Sequence, residues 1–175
     1  SDQLKNCSIN AINRLKGMGL VPAMLTGDNL KSAENIASST GISEIHAGLL
    51  PDEKLIALKS LRDKHGAVMF VGDAPVLAGA DVGAAMGSGA DAAIEAADVV
   101  FMTSSLTAVP QSIQIARYTR RIALQNIMFA LAIKLLVILL GFIGFANIWA
   151  AVFADTGVAM LCILNSLRIL WRKYS

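Results

Sequence analysis

The sequence predicts an α/β unit built on a parallel sheet, followed by a hairpin of two membrane-spanning helices. Two observations carry this expectation. Short, uninterrupted apolar runs alternate with helical patterns through the first two thirds of the chain, the signature of a parallel sheet covered on both faces. Then, between Arg121 and Arg168, 46 residues carry only two charges, Lys134 and Asp155. That is enough chain for two helices of about 20 residues and a turn. A charge near the bilayer centre costs about 2.5–3.5 kcal/mol on insertion scales, so a lone Lys and a lone Asp on opposite helices point to ion handling.

The elements follow in order. Asn10–Gly17 reads as the end of a helix, with Gly17 and Gly19 as stops. Leu20–Leu25 is an apolar run that halts at Thr26-Gly27-Asp28-Asn29, and Leu30, Ala33, Ile36 and Ala37 then recur at helical spacing. Pro51-Asp52-Glu53 opens a second helix, with Leu55, Leu58 and Leu61 on one face and Gly66 as its stop. Ala67–Val71 is a strand that ends at Gly72-Asp73. Asp81–Met86 and Asp98–Met102 are two more, and the small-residue stretch Ala90–Ala97 between them suits a helix. The expected division is a soluble unit over residues 1–115 and a hairpin over 122–170, with its helices at about 124–146 and 149–170.

Composition narrows the partners. Hydrophobic residues make up 55% of the chain, concentrated in the apolar block, so the bilayer is the expected partner. A net charge of +2 without a dense Lys/Arg stripe gives no case for nucleic acid. Cys7 and Cys162 fall in different compartments, so no disulfide is expected. Ser1–Ala11 is polar and does not read as a signal peptide. Arg117, Arg120 and Arg121 precede the apolar block; Arg168, Arg172 and Lys173 follow it, and the turn around Ala146–Trp149 has no charge. This places both ends of the hairpin on the cytoplasmic side. Trp149 and Trp171 are either interfacial anchors or plain helix packing.

Ligands of parallel sheets sit beyond the carboxyl ends of the strands, which is where Thr26, Asp28 and Asp73 fall. The Thr26 hydroxyl and the Lys54 ammonium suit phosphoryl oxygens, and the Asp73 carboxylate suits magnesium. Each has a plainer reading when taken alone. Thr26-Gly27-Asp28-Asn29 is then a turn with an Asp helix cap, Lys54 a solvated helix lysine, and Asp73 the cap of a helix beginning near Pro75. In the hairpin, a turn near Ala146–Trp149 sets Lys134 about 18 Å and Asp155 about 10 Å below it, a gap of about 8 Å. That gap is close to the reach of a Lys stem. An aspartate oxygen is an acceptable zinc ligand, whereas a protonated Lys is not. Lys134 can instead neutralise Asp155 when no ion is present; the alternative is a structural ion pair. Cys162 is seven residues past Asp155, either a thiolate for a soft metal or a packing residue. His46 and His65 read as isolated surface or loop residues. Met24, Met69, Met86 and Met128 read as core.

Four segments follow one another at fixed order: Met-Leu-Thr-Gly-Asp-Asn (24–29), Pro-Asp-Glu-Lys (51–54), Val-Gly-Asp-Ala-Pro-Val-Leu-Ala (71–78) and Ala-Asp-Val-Gly-Ala-Ala-Met-Gly (80–87). This series resembles the phosphorylation domain of the P-type ATPases, a branch of the haloacid-dehalogenase-like phosphotransferases. The resemblance runs from about Asp2 to the end of the chain. It implies a partial haloacid-dehalogenase-like sheet, with Thr26, Gly27, Asp28 and Lys54 at the phosphoryl group, Asp73 on Mg2+, and ATP as the phosphoryl donor. In the hairpin, Asn126 and Lys134 stand in an Asn-x7-Lys pattern. Asp155-Thr156-Gly157 forms an Asp-x-Gly, followed by Leu-Asn-Ser-Leu-Arg (164–168). This is similar to the last two membrane helices of the zinc-, cadmium- and lead-exporting members. The similarity implies a multi-pass plasma-membrane protein whose metal site includes Asp155 and Asn126, with Lys134 as charge partner and Zn2+, Cd2+ or Pb2+ as cargo.

The sequence also departs from the family. It contains no Asp-Lys-Thr-Gly, no nucleotide-binding domain and no Cys-Pro-Cys-type helix. The expectation is a C-terminal piece that works with a missing N-terminal part and is not competent alone. The family's Gly-Asp-Gly-x-Asn-Asp-x-Pro appears as Gly72-Asp73-Ala74-Pro75, four residues shorter and with one aspartate fewer. Magnesium placement supplies much of phosphoryl-transfer catalysis, so a shorter loop implies weaker hydrolysis. The alternative is a non-catalytic membrane fragment or a split-pump subunit.

Overall fold

The computed structural model describes residues 2–72, 76–87, 91–144 and 148–171. They divide into two compact units, residues 1–110 and 111–175. The first unit alternates helix and strand: α1 (Asp2–Gly17), β1 (Ala23–Leu25), α2 (Leu30–Thr40), β2 (Glu44–His46), α3 (Pro51–His65), β3 (Met69–Val71), a 3₁₀ turn (Val76–Gly79), β4 (Val82–Met86), α4 (Asp91–Ala96) and β5 (Val99–Phe101). Every strand pair is parallel, as the apolar runs require. The strands form two ladders rather than one, β1–β2 and β3–β4–β5. Among the described residues, the outer edges of β1, β2, β3 and β5 pair with no strand.

Sequence explains most boundaries. α2 ends where Gly41 takes φ 78°, and its N–H closes on the Ala37 carbonyl. Only glycine enters that region at no steric cost. The end of α1 is tied to the same place, where the Lys16 ammonium donates to the Gly41 carbonyl. α3 carries Pro51 in its first turn, where the missing N–H costs nothing. One buried cluster joins Leu77, Ala85 and Ala93, with Phe70, Ala97 and Val100 packed against it. Small residues on β4 are required because the 3₁₀ turn lies directly on it. A Cβ on Gly83 would sit 2.7 Å from the Leu77 carbonyl oxygen.

In the second unit, α5 runs unbroken from Ala108 to Phe142 and α6 spans Ile148–Trp171. Both are long and apolar enough to cross a membrane. At 35 residues, α5 is about 52 Å long, well beyond the roughly 30 Å of hydrocarbon. It starts well before the expected residue 124 because its first turns are polar: hydropathy marks where apolar surface begins, not where a helix begins. Pro110 sits in its first turn and does not interrupt it.

Candidate functional site

The carboxyl end of β1 forms the first candidate site. The Thr26 N–H donates to the His46 carbonyl at 2.9 Å, adding a rung to the β1–β2 ladder. The loop that leads into α3 is then bonded to the same segment: Leu49 N–H donates to Thr26 O (3.1 Å) and Gly48 N–H to Asp28 O (2.8 Å). Close approach explains Gly27, where a Cβ would lie 3.3 Å from the Leu49 carbonyl oxygen. The segment carrying Thr26, Gly27 and Asp28 thus adjoins the loop that opens α3, whose first turn holds the half-buried Lys54.

Within the loop, Thr26 Oγ1 donates to Asp28 Oδ2 (3.0 Å) and accepts from the Asp28 N–H (3.1 Å). The hydroxyl is therefore oriented, and the Asp28 carboxylate holds it. Asp28 is not the cap of α2, against the plainer reading of this turn. Asn29 is the cap, its Oδ1 accepting from the Ser32 N–H at 2.9 Å. β3 delivers the chain to Gly72, whose N–H makes a rung with Ala84 O at 3.1 Å. Asp73 lies outside the described residues. The described residues include no group of three His, Cys, Asp or Glu side chains able to hold a metal.

His46 and His65, expected as isolated surface or loop residues, are neither isolated nor in loops, although His65 is exposed. His46 is on β2 and His65 ends α3. Both turn toward Glu44, with His65 Nε2 at 3.0 Å and His46 Nε2 at 4.0 Å from its carboxylate, and Lys64 Nζ is at 2.8 Å. The bond from Lys64, and after it the His65 contact, hold the Glu44 carboxyl below its ordinary value of 4.5, against an opposing push from desolvation. This cluster fastens α3 to β2.

The hairpin forms the second candidate site. Lys134 Nζ lies 3.2 Å from Asp155 Oδ1. The axial gap expected from the sequence is absent because α5 stops at Phe142, short of residue 146. Counted from Phe142, Lys134 is about 12 Å along α5; counted from Ile148, Asp155 is about 10.5 Å along α6. The pair borders an open, mostly apolar recess of about 390 Å³, lined also by Val137, Ile138, Val152 and Val158. Asn126 does not line it. Its side chain bonds instead to Cys162, Asn165 and Ser166 on α6. Asn165 and Ser166 belong to the Leu-Asn-Ser-Leu-Arg segment (164–168), but nothing in that pattern gave them Asn126 as a partner.

A haloacid dehalogenase-like hydrolase family model matches residues 1–87. The chain is 50% identical to a zinc-transporting ATPase of Synechocystis sp., over 97% of this chain and 24% of that protein. It is 42% identical to a cadmium, zinc and cobalt-transporting ATPase of Bacillus subtilis, over 99% of this chain and 26% of that protein. The crystal structure of a zinc-transporting PIB-type ATPase in an E2.Pi state superposes with a TM-score of 0.87, at 39% identity, covering 92% of this chain and 27% of that one. The chain therefore spans about a quarter of the length of these relatives. Because the match extends through both the soluble unit and the hairpin, the chain belongs to the heavy-metal P-type ATPase family.

Proposed function

We propose that this chain works as the phosphoryl-sensing and cation-binding segment of an ATP-driven pump that exports zinc, cadmium or lead across the plasma membrane. The observation that carries this reading is the 3.2 Å contact between Lys134 and Asp155, on two helices of membrane-spanning length, in a chain whose soluble unit has a phosphotransferase fold. Intramembrane charges are functional by default, and a pair beside an open recess fits ion passage. The Asp155 carboxylate is the acceptor for the cation. The Lys134 ammonium compensates that carboxylate when no cation is there and yields it when one arrives. The relatives that transport zinc and cadmium support the cargo, and lead rests only on the resemblance of the hairpin to the zinc-, cadmium- and lead-exporting members.

In the soluble unit, Thr26 and Lys54 hold phosphoryl oxygens, Gly27 lets the loop close on α3, and Asp28 orients the Thr26 hydroxyl. Asp73 is the proposed magnesium carboxylate. The chain contains no Asp-Lys-Thr-Gly, so the aspartyl phosphate would form on the partner segment of the pump. Basic flanks place the soluble unit and the end of α6 in the cytoplasm. The contracted Gly72-Asp73-Ala74-Pro75 loop favours a second reading, a pump segment with weak or lost hydrolysis.

The test is zinc-stimulated ATP hydrolysis and zinc uptake into vesicles by the full-length protein. Asp155→Ala should abolish both, and Lys134→Ala should alter the zinc dependence. Unchanged zinc dependence in both variants would refute the site. Inserting Gly-Ile-Asn-Asp after Asp73 should raise turnover under the second reading; no gain would argue that the short loop is competent.

A further inference from the structure

Asn126 is committed to α6 rather than to the cation recess. Its Nδ2 donates to the Cys162 carbonyl (3.1 Å) and to Ser166 Oγ (3.0 Å), and its Oδ1 accepts from Asn165 Nδ2 (2.8 Å). Ser166 Oγ in turn donates to the Cys162 carbonyl at 2.9 Å, and Arg168 reaches Asn165 Oδ1 at 3.3 Å. Every polar atom of the Asn126 side chain is engaged across the interface. The network sits about 12 Å along α5 from Lys134, toward the Arg121 end.

The spacing links the network to the ion pair. Lys134 is eight residues past Asn126 on α5; Asp155 is seven to eleven residues before Cys162, Asn165 and Ser166 on α6. In an antiparallel pair of helices, equal steps in opposite directions keep the same register. The polar network and the Lys134–Asp155 contact therefore belong to one register, and a slip of one turn, about 5.4 Å, breaks both. Between them the interface is apolar, and apolar side chains between lipid-bathed helices specify register weakly, because lipid tails are equally good neighbours.

We infer that Asn126, with Asn165 and Ser166, is an interhelical clasp that sets the register of α5 on α6 and so holds Lys134 opposite Asp155. These are positioning residues, and the clasp deepens the cation site proposed above. The functional half of the inference rests on that reading; the register half does not.

Two measurements on the full-length protein separate them. Nitroxide-bearing unnatural amino acids replace Leu131 and Ala159, exposed positions on α5 and α6, with every cysteine left in place. Electron–electron distance measurement in bilayers should give one narrow distribution, broadened or displaced by about one turn (5.4 Å) in Asn126→Leu. An unchanged distribution overturns the clasp. In the unlabelled protein, Asn126→Leu should raise the KM for zinc about tenfold and change kcat less than about twofold, the split expected when cation binding is weakened equally in the ground and transition states. A displaced distribution with an unchanged zinc KM overturns the link to the ion pair. Should Asn126→Leu fail to insert, Ser166→Ala, which removes a single interhelical bond, should broaden the distribution in the same sense; no broadening overturns the clasp. Asp155→Asn is the control for the earlier reading: if it leaves zinc dependence intact, the cation site falls and the clasp is decided on the distances alone.

Discussion

Lys134→Met should weaken insertion of α6, a helix on which it does not lie. α6 is the less apolar of the two spans and carries Asp155, so it depends on help from α5. At 3.2 Å and an effective dielectric near 20, the gross attraction of the pair is about 5 kcal/mol. Much of that does not survive as net energy, because an unpaired Asp155 recruits water. Measured interhelical polar couplings in membranes average about 0.6 and reach about 1.7 kcal/mol. A full salt bridge belongs at or slightly above the upper end, so a coupling of about 1–2 kcal/mol is expected. That is a change of about 5–30-fold in the inserted-to-excluded ratio of α6. The assay expresses the α5–α6 hairpin in microsomes and reads insertion from glycosylation of acceptor sites flanking α6. Lys134→Met should lower the ratio by that factor. In an Asp155→Leu background the same substitution should do nothing, since the partner is gone. An equal effect in both backgrounds, or none in either, refutes a direct pair.

Three further outcomes are expected. Gly83→Ala places a Cβ 2.7 Å from a backbone oxygen that cannot swing away; it should destabilise the soluble unit by about 1–3 kcal/mol in urea unfolding, and an unchanged midpoint would contradict the tight packing of the 3₁₀ turn on β4. Asn29→Ala removes the cap of α2 and should cost about 1 kcal/mol, seen as faster hydrogen exchange at the Ser32 amide, whereas Asp28→Ala should leave that amide unaffected. The Glu44 carboxyl is held below its ordinary 4.5 in the folded state, so its contribution is present above that value and is lost as pH falls through the lower, folded value. Exchange at β2 and the end of α3 should therefore rise in that acid range, and Glu44→Gln should flatten the rise.

Some of this was legible in the sequence and some was not, for physical reasons. β1, β3, β4 and β5 were visible as apolar runs ending in Gly, Asp or Thr. β2 was not, because Glu44-Ile45-His46 carries two polar residues, and the place of Glu44 in the fold is set by Lys64 and His65, 20 and 21 residues away. The Thr26–Asp28 segment announced itself, but which of Asp28 and Asn29 caps α2 depends on where the helix begins, a matter of one residue. The charges at 134 and 155 stood out against an apolar background. Their contact did not, because a turn shifted by four residues moves the two side chains several ångströms along the axis. The clasp was least legible of all. Asn and Ser are common in helices, and only the antiparallel register brings Asn126 to Asn165 and Ser166.

The free edges of β1 and β3 also bear on how this protein must be handled. Ala23–Leu25 and Met69–Val71 each present backbone donors and acceptors that no described strand uses. Such an edge accepts whatever extended segment reaches it first. A crude extract rich in this unit alone should therefore yield aggregates bonded through its exposed strand edges rather than dispersed monomers.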